Sequence, residues 1–157
     1  MNKSLMTTSE KNNAYMESLI AAFPEDLTGA LAIATQNPLK NTYPKFNNVL
    51  ICGMGGSGIG GKLVVSWIVD ELKIPVNFCQ AYTLPNYVNA NTLIIASSNS
   101  GNTEETVAAT QAAHEKGAAI IGICSGGKLE SFCAQHNYDY ISVPGGKPPR
   151  TALAFSI

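Results

Sequence analysis

Asn48 to Gly61 reads NVLICGMGGSGIGG. A short run of consecutive apolar residues breaks abruptly into a cluster that holds six glycines between Gly53 and Gly61. Apolar runs of four to eight residues without polar alternation are strands buried on both faces, which is the situation of a parallel sheet. Glycines directly after such a strand let the chain turn sharply and let a ligand approach the backbone. The unpaired N–H groups of the helix that begins there then face an anion.

Working outward, the strand pattern of Val49–Gly53 recurs at Val76–Tyr82, Thr92–Ser97, Ala118–Cys124 and Tyr140–Val143. Helical segments are expected near Gly58–Asp70, Thr103–Lys116 and Lys128–His136. Strand and helix alternate, so the fold class is α/β: a doubly wound five-stranded parallel sheet in a flavodoxin-like three-layer sandwich of strand order 2-1-3-4-5. The second-to-third connection, Thr83–Asn91, is too short for a crossover helix, yet it must pass over the first strand. Ahead of the sheet, residues 1–47 are expected to pack on the domain as two short amphipathic helices, Asn12–Ala22 and Glu25–Thr35. Their apolar stripes are Tyr15, Met16, Leu19 and Ile20, then Leu27, Leu31 and Ile33. Residues 48–144 form the core, and 145–157 a linker and active-site segment that ends on the apolar LAFSI, an ending that reads as leading into an absent second half.

The chain has 157 residues, of which 45% are hydrophobic and 13% charged. That suffices for one core without disulfides or metal, and disorder, collagen and coiled coil are poor fits. A charged fraction this far below the usual figure of about 25% suggests surface covered by another domain or subunit. Ten Lys and Arg against eleven Asp and Glu give a net charge of -1, which offers no general attraction for nucleic acid or for an anionic membrane. Cys52, Cys79, Cys124 and Cys133 show no metal-ligand spacing; three of them lie in apolar runs, as reduced core residues of a cytoplasmic protein do. The start of the chain lacks the apolar stretch of a signal peptide, and no segment is long and apolar enough to span a membrane.

Two nucleotide motifs are half present. Gly53, Gly55 and Gly58 satisfy GxGxxG, but the second strand ends in NFCQAY with no ribose-binding acid. Gly56–Lys62 matches the start of a P-loop, but Leu63 stands where Ser or Thr must hold magnesium, and Lys62 reads as an ordinary helix residue. The third strand ends in SSNSGNTEET, a second loop suited to an anion. Asn102 or Thr103 caps the next helix there, Asn102 with Glu105 in a capping box, while the Ser98 and Ser100 hydroxyls are neutral donors. In a 2-1-3 sheet the loops after strands one and three open into one crevice. Uncharged donors at two helix N-termini suit a compact phosphate monoester.

SNSGNTEET in this setting resembles the sugar isomerase (SIS) domain proteins, and GMGGSGIGG with PPRTALAFS resembles the amino-terminal half of the bifunctional phosphoglucose/phosphomannose isomerases. Asn99 stands where that family often has Tyr, and Thr151 and Ala154 replace Ala and Gly of its PRAALG. The resemblance implies that Gly55, Gly56, Ser57, Ser98, Ser100 and Thr103 hold a hexose phosphate, and that Arg150 lies beside the reacting C1 and C2 carbons. It implies aldose-ketose interconversion of glucose 6-phosphate or mannose 6-phosphate with fructose 6-phosphate, in glycolysis and gluconeogenesis. It further implies no cofactor and no metal, a second SIS domain, a homodimer, and a catalytic base and ring-opening acid beyond Ile157. His114 and His136 read as surface or helix-capping residues rather than as that base. The alternative is a non-catalytic SIS module that senses phosphosugars.

Overall fold

The computed structural model describes residues 8–157, so the first seven residues of the amino-terminal segment lie outside the described residues. Strands β1 (Asn48–Cys52), β2 (Val76–Cys79), β3 (Thr92–Ser98), β4 (Ala119–Cys124) and β5 (Asp139–Ser142) form one parallel sheet. Its order is β2-β1-β3-β4-β5, the doubly wound arrangement expected from the alternation of strand and helix. Leu50 lies level with Asn77 on one side and Ile94 on the other, which sets the register of the three strands that carry the first two loops.

β2 is shorter than the Val76–Tyr82 expected from its apolar run, because it is an edge strand with only β1 to pair with. The last ladder contact is the Gly53 N–H donating to Cys79 O at 3.3 Å. Beyond it the Cys79 thiol lies against the Ala81 and Thr83 carbonyls and the chain turns away. The connection to β3 crosses β1 without a helix, and Leu84 and the buried Val88 pack into the core in its place.

Helices α1 (Thr8–Ala21) and α2 (Phe23–Gln36) precede the sheet; α3 (Gly55–Trp67), α4 (Glu104–Glu115) and α5 (Gly127–Gln135) connect its strands. Residues alternate between the faces. Leu50, Cys52, Ile94, Ala96, Ile120 and Cys124 share a core with Ala109 and Ala113 of α4 and Leu129 and Cys133 of α5. Leu50, Ile94, Ile120 and Leu129 are wholly buried, each contributing about 1.5–3 kcal/mol. Ile123 and Ile141 point to a second, smaller cluster with Val143, Ala152, Phe155, and Ala30 and Ile33 of α2.

The stripes expected on α1 and α2 are only partly covered. Met16, Leu19, Leu27 and Ile33 are half-buried, whereas Tyr15, Ile20 and Leu31 are 54%, 62% and 65% exposed. Trp67, at the end of α3, is 65% exposed as well.

The segment between α2 and β1 is fastened by one carboxylate. Asp139, buried at the start of β5, accepts hydrogen bonds from the Lys40 and Asn41 N–H groups at 3.0 and 2.9 Å and from the Tyr43 hydroxyl at 2.7 Å. Burial pushes its carboxyl up, but the bonds from Tyr43, Asn41 and Lys40 outweigh it and hold the group below its ordinary 3.8. Tyr43 is raised to about 12, by its own burial first and then by Asp139. A depressed carboxylate stabilises the fold above its unfolded value and loses that contribution as pH falls through the folded one. Asp139→Asn is therefore expected to lower stability by about 1–3 kcal/mol at pH 7. In urea unfolding the gap between variant and wild type should narrow as pH drops below about 4.

Candidate functional site

β1 delivers the chain into the first loop, where Gly55 has φ +53° and open space around it. The other glycines there answer to packing. A Cβ at Gly53 would lie 2.9 Å from Ser97 O, one at Gly61 would lie 2.9 Å from Ile51, and one at Gly58 would overlap Gly53 O. Gly56 and Gly60, one turn apart on α3, form a smooth face for the end of the chain. A Cβ on Gly56 would stand 2.7 Å from Pro149 O, and one on Gly60 would overlap Ser156 O. PPRTALAFS is thereby folded onto the first loop as two short 3-10 turns, Pro149–Thr151 and Leu153–Ser156. The Thr151 hydroxyl donates to Pro148 O at 2.9 Å. Arg150 is exposed, and its backbone nitrogen lies 3.6 Å from a Cβ position on Gly56.

The second loop follows β3. Ser98 is 1% exposed and its Oγ lies 2.9 Å from Thr103 Oγ1, while the Thr103 N–H donates to it at 3.4 Å. With Ser98 donating, the Thr103 hydroxyl hydrogen is left for a ligand. Ser100 is exposed, and its Oγ accepts from the Asn102 N–H at 3.2 Å. The expected capping box does not form. Thr103 is the N-cap of α4 without a side-chain cap bond, and Asn102 turns the other way. Its amide donates to Ser100 O at 3.1 Å and accepts from the Lys128 N–H at 3.1 Å, joining this loop to the start of α5.

The two loops meet through Asn99, whose N–H donates to the Oγ of the buried Ser57 at 3.2 Å. Asn99 O accepts from the Ser125 hydroxyl at 2.6 Å and the Ser125 N–H at 2.9 Å, which brings in the end of β4. The Asn99 amide donates to Lys147 O at 3.4 Å. Sequence reasoning missed Ser125, although CSGG after β4 repeats the pattern of small residues seen after β1 and β3. Behind the loops Ser57, Ser97, Asn99 and Phe155 line a gap of about 10 Å³, room for about one water.

Neighbouring groups serve structure. Lys62 donates to Gln80 Oε1 at 3.3 Å and lies over the Phe78 ring, while the Gln80 amide donates to Gly53 O at 3.5 Å. Gln80, at the position of a ribose-binding acid, thus braces the loop. Burial, with Cys79 adjacent, pushes the Cys52 thiol up to about 12, so it is no nucleophile. The Tyr82 phenol is raised by Glu105, then by burial and Glu104, which marks the first turn of α4 as negative. His114 in the last turn of α4 and His136 at the C-cap of α5 stand at helix ends as the capping reading expects, but neither is a free surface residue. Both are half-buried, with rings 4.2 Å apart beside Phe132, and His114 Nδ1 lies 2.8 Å from the Tyr138 hydroxyl. They stand at the far ends of α4 and α5, about 15 Å along the helix from the second loop. Among the described residues no group of three or more His, Cys, Asp or Glu is arranged to hold a metal ion, and no helix is long and apolar enough to cross a membrane.

Residues 44–144 match the family model of the SIS domain. The chain belongs to the SIS domain family. It is 45% identical over 133 residues to the bifunctional phosphoglucose/phosphomannose isomerase of Caldicellulosiruptor bescii, covering 85% of this chain and 39% of that protein. With the protein of the same name from Thermoplasma acidophilum it shares 43% identity over 110 residues, 70% of this chain and 33% of that one. This SIS chain thus spans less than two fifths of the length of those curated relatives. Its fold is that of the carboxyl-terminal domain of glucosamine-fructose-6-phosphate aminotransferase from Francisella tularensis, with a TM-score of 0.69 at 20% identity over 90% of this chain and 45% of that one.

Gly56 tests how the closing segment is seated on the SIS core. Gly56→Ala should lift Pro149 and Arg150 off the first loop and cost about 1–3 kcal/mol, the scale of overpacking. Denaturant unfolding measures the loss, and limited proteolysis should find new cleavage near Arg150.

Proposed function

We propose that this chain is the phosphate-binding part of a phosphosugar isomerase that interconverts glucose 6-phosphate or mannose 6-phosphate with fructose 6-phosphate. The observation that carries the reading is the Asn99–Ser57 hydrogen bond, which holds the glycine loop and the hydroxyl loop at one crevice with the Arg150 segment beside them. Relatives that bear the isomerase name, at 43–45% identity, support it.

In this reading the backbone at Gly55 and Gly56 and the hydroxyls of Ser57, Ser100 and Thr103 hold the phosphoryl group, and Ser98 stands behind Thr103 and orients its hydroxyl. Neutral donors and helix N-terminal N–H groups bind a dianion, here beside a first turn of α4 that carries Glu104 and Glu105. Arg150 then stabilises the enediolate oxygen that develops as a proton moves between C1 and C2. Base and ring-opening acid come from a second SIS domain or a partner subunit in a homodimer, since His114 and His136 lie far from the loops. Segment 145–157 links the two domains. The setting is the reducing cytoplasm, in keeping with four buried, unpaired thiols, and the role is in glycolysis and gluconeogenesis.

Calorimetric titration of glucose 6-phosphate and fructose 6-phosphate tests the reading. Both should bind the wild type, and Ser57→Ala and Ser100→Ala should each weaken binding about tenfold, as the loss of a hydrogen bond to a charged group does. Unchanged affinity in both variants would remove the assignment. Binding by this chain with no turnover by the whole protein would favour the sensing module.

A further inference from the structure

The segment that carries Arg150 is gripped from two sides, and one side is α2, which sequence reasoning gave no part in the site. Lys147 donates to the Asp26 carboxylate in the first turn of α2, with its Nζ 2.6 Å from Oδ1. Both side chains are largely sheltered, 25% and 13% exposed. Three residues further along α2 the attachment is repeated by packing: Phe155 lies 4.0 Å from a Cβ position on Gly29 and shares a cluster with Ala30 and Ile33. On the opposite side the Lys147 carbonyl accepts from the Asn99 amide, and Pro149 rests on Gly56. Lys147 is therefore a hub: its ammonium is tied to α2 and its carbonyl to the phosphate loop, three residues before Arg150.

The geometry points to Asp26 and Lys147 as positioning residues that set where Arg150 stands relative to the phosphate loops, a role that rests on the phosphosugar reading above. Neither residue is assigned contact with the substrate. For a part-buried ion pair the cost of desolvation offsets much of the attraction, so its net contribution to global stability is small, but here it fixes one end of a short segment whose other contacts are turns, glycine packing and Phe155. Without it, Pro148 to Thr151 can drift from the first loop while the sheet stays intact. Displacement by about an ångström is enough to weaken a guanidinium contact to a sugar oxygen. The phosphate loops, held by Ser57, Asn99 and Ser125, do not depend on the pair.

The consequence is a split between two probes. Asp26→Asn and Lys147→Gln should weaken fructose 6-phosphate binding about tenfold while leaving inorganic phosphate within about twofold of wild type. The exchanged pair Asp26→Lys with Lys147→Asp should restore most of the loss. Amide hydrogen exchange reads the latch without any ligand. The Thr151 and Ala152 N–H groups, bonded to Pro148 O and Pro149 O at 2.9 and 3.3 Å, should exchange faster in both single variants and recover in the exchanged pair. Unchanged exchange at these amides overturns the latch. Equal loss of fructose 6-phosphate and phosphate, or failure of the exchanged pair to recover either readout, overturns the positioning role. A wild type that binds neither probe overturns the phosphosugar reading and the positioning role with it, and the exchange rates still judge the latch on their own.

Discussion

The reversal of chain direction across β1 governs this molecule. With β2 on one side and β3 on the other, the helices that follow β1 and β3 leave the sheet on opposite faces, and the strand ends between them are left uncovered. A backbone N–H there has to find a partner, and the Asn99 N–H finds the Ser57 hydroxyl. That bond joins elements from opposite layers, so the first loop, the second loop and the start of β4's turn through Ser125 keep one geometry. The closing segment can then dock against a surface that is already fixed.

The strands were legible because their apolar runs are short and nearly unbroken, and the order followed from right-handed crossovers. Helix starts were harder. Glycine is a poor helix former, so α3 was expected from Gly58, yet it begins at Gly55 because tertiary contact at Gly56, Gly58 and Gly60 outweighs propensity. The Asn102 capping box failed for a similar reason: its side chain serves a contact with Lys128 that no local pattern announces. At the site, the glycine cluster and the SNSGNT hydroxyls were visible in the sequence, but the roles of most glycines were not. The neighbours of Gly56 and Gly60, Pro149 and Ser156, lie about a hundred residues away in the chain.

The same distance in sequence hid the part played by the amino-terminal helices. Amphipathic spacing marks α2 as a helix that covers something, without saying what. In the structure its Gly29, Ala30 and Ile33 meet Phe155, and its Asp26 meets Lys147, so the beginning and end of the chain support each other at the edge of the crevice. Asp139 does the equivalent for the stretch between α2 and β1. Polar anchors thus hold in place helices whose apolar contacts are incomplete.

The uncovered apolar side chains bear on how the molecules treat one another in solution. Ile20, Leu31 and Trp67 are each more than 60% exposed, while the chain carries a net charge of only -1. Long-range electrostatic repulsion between copies is therefore nearly nil, and short-range attraction between oily patches goes unopposed. Added salt, having almost no net repulsion to screen, therefore has little electrostatic leverage over contact between such patches.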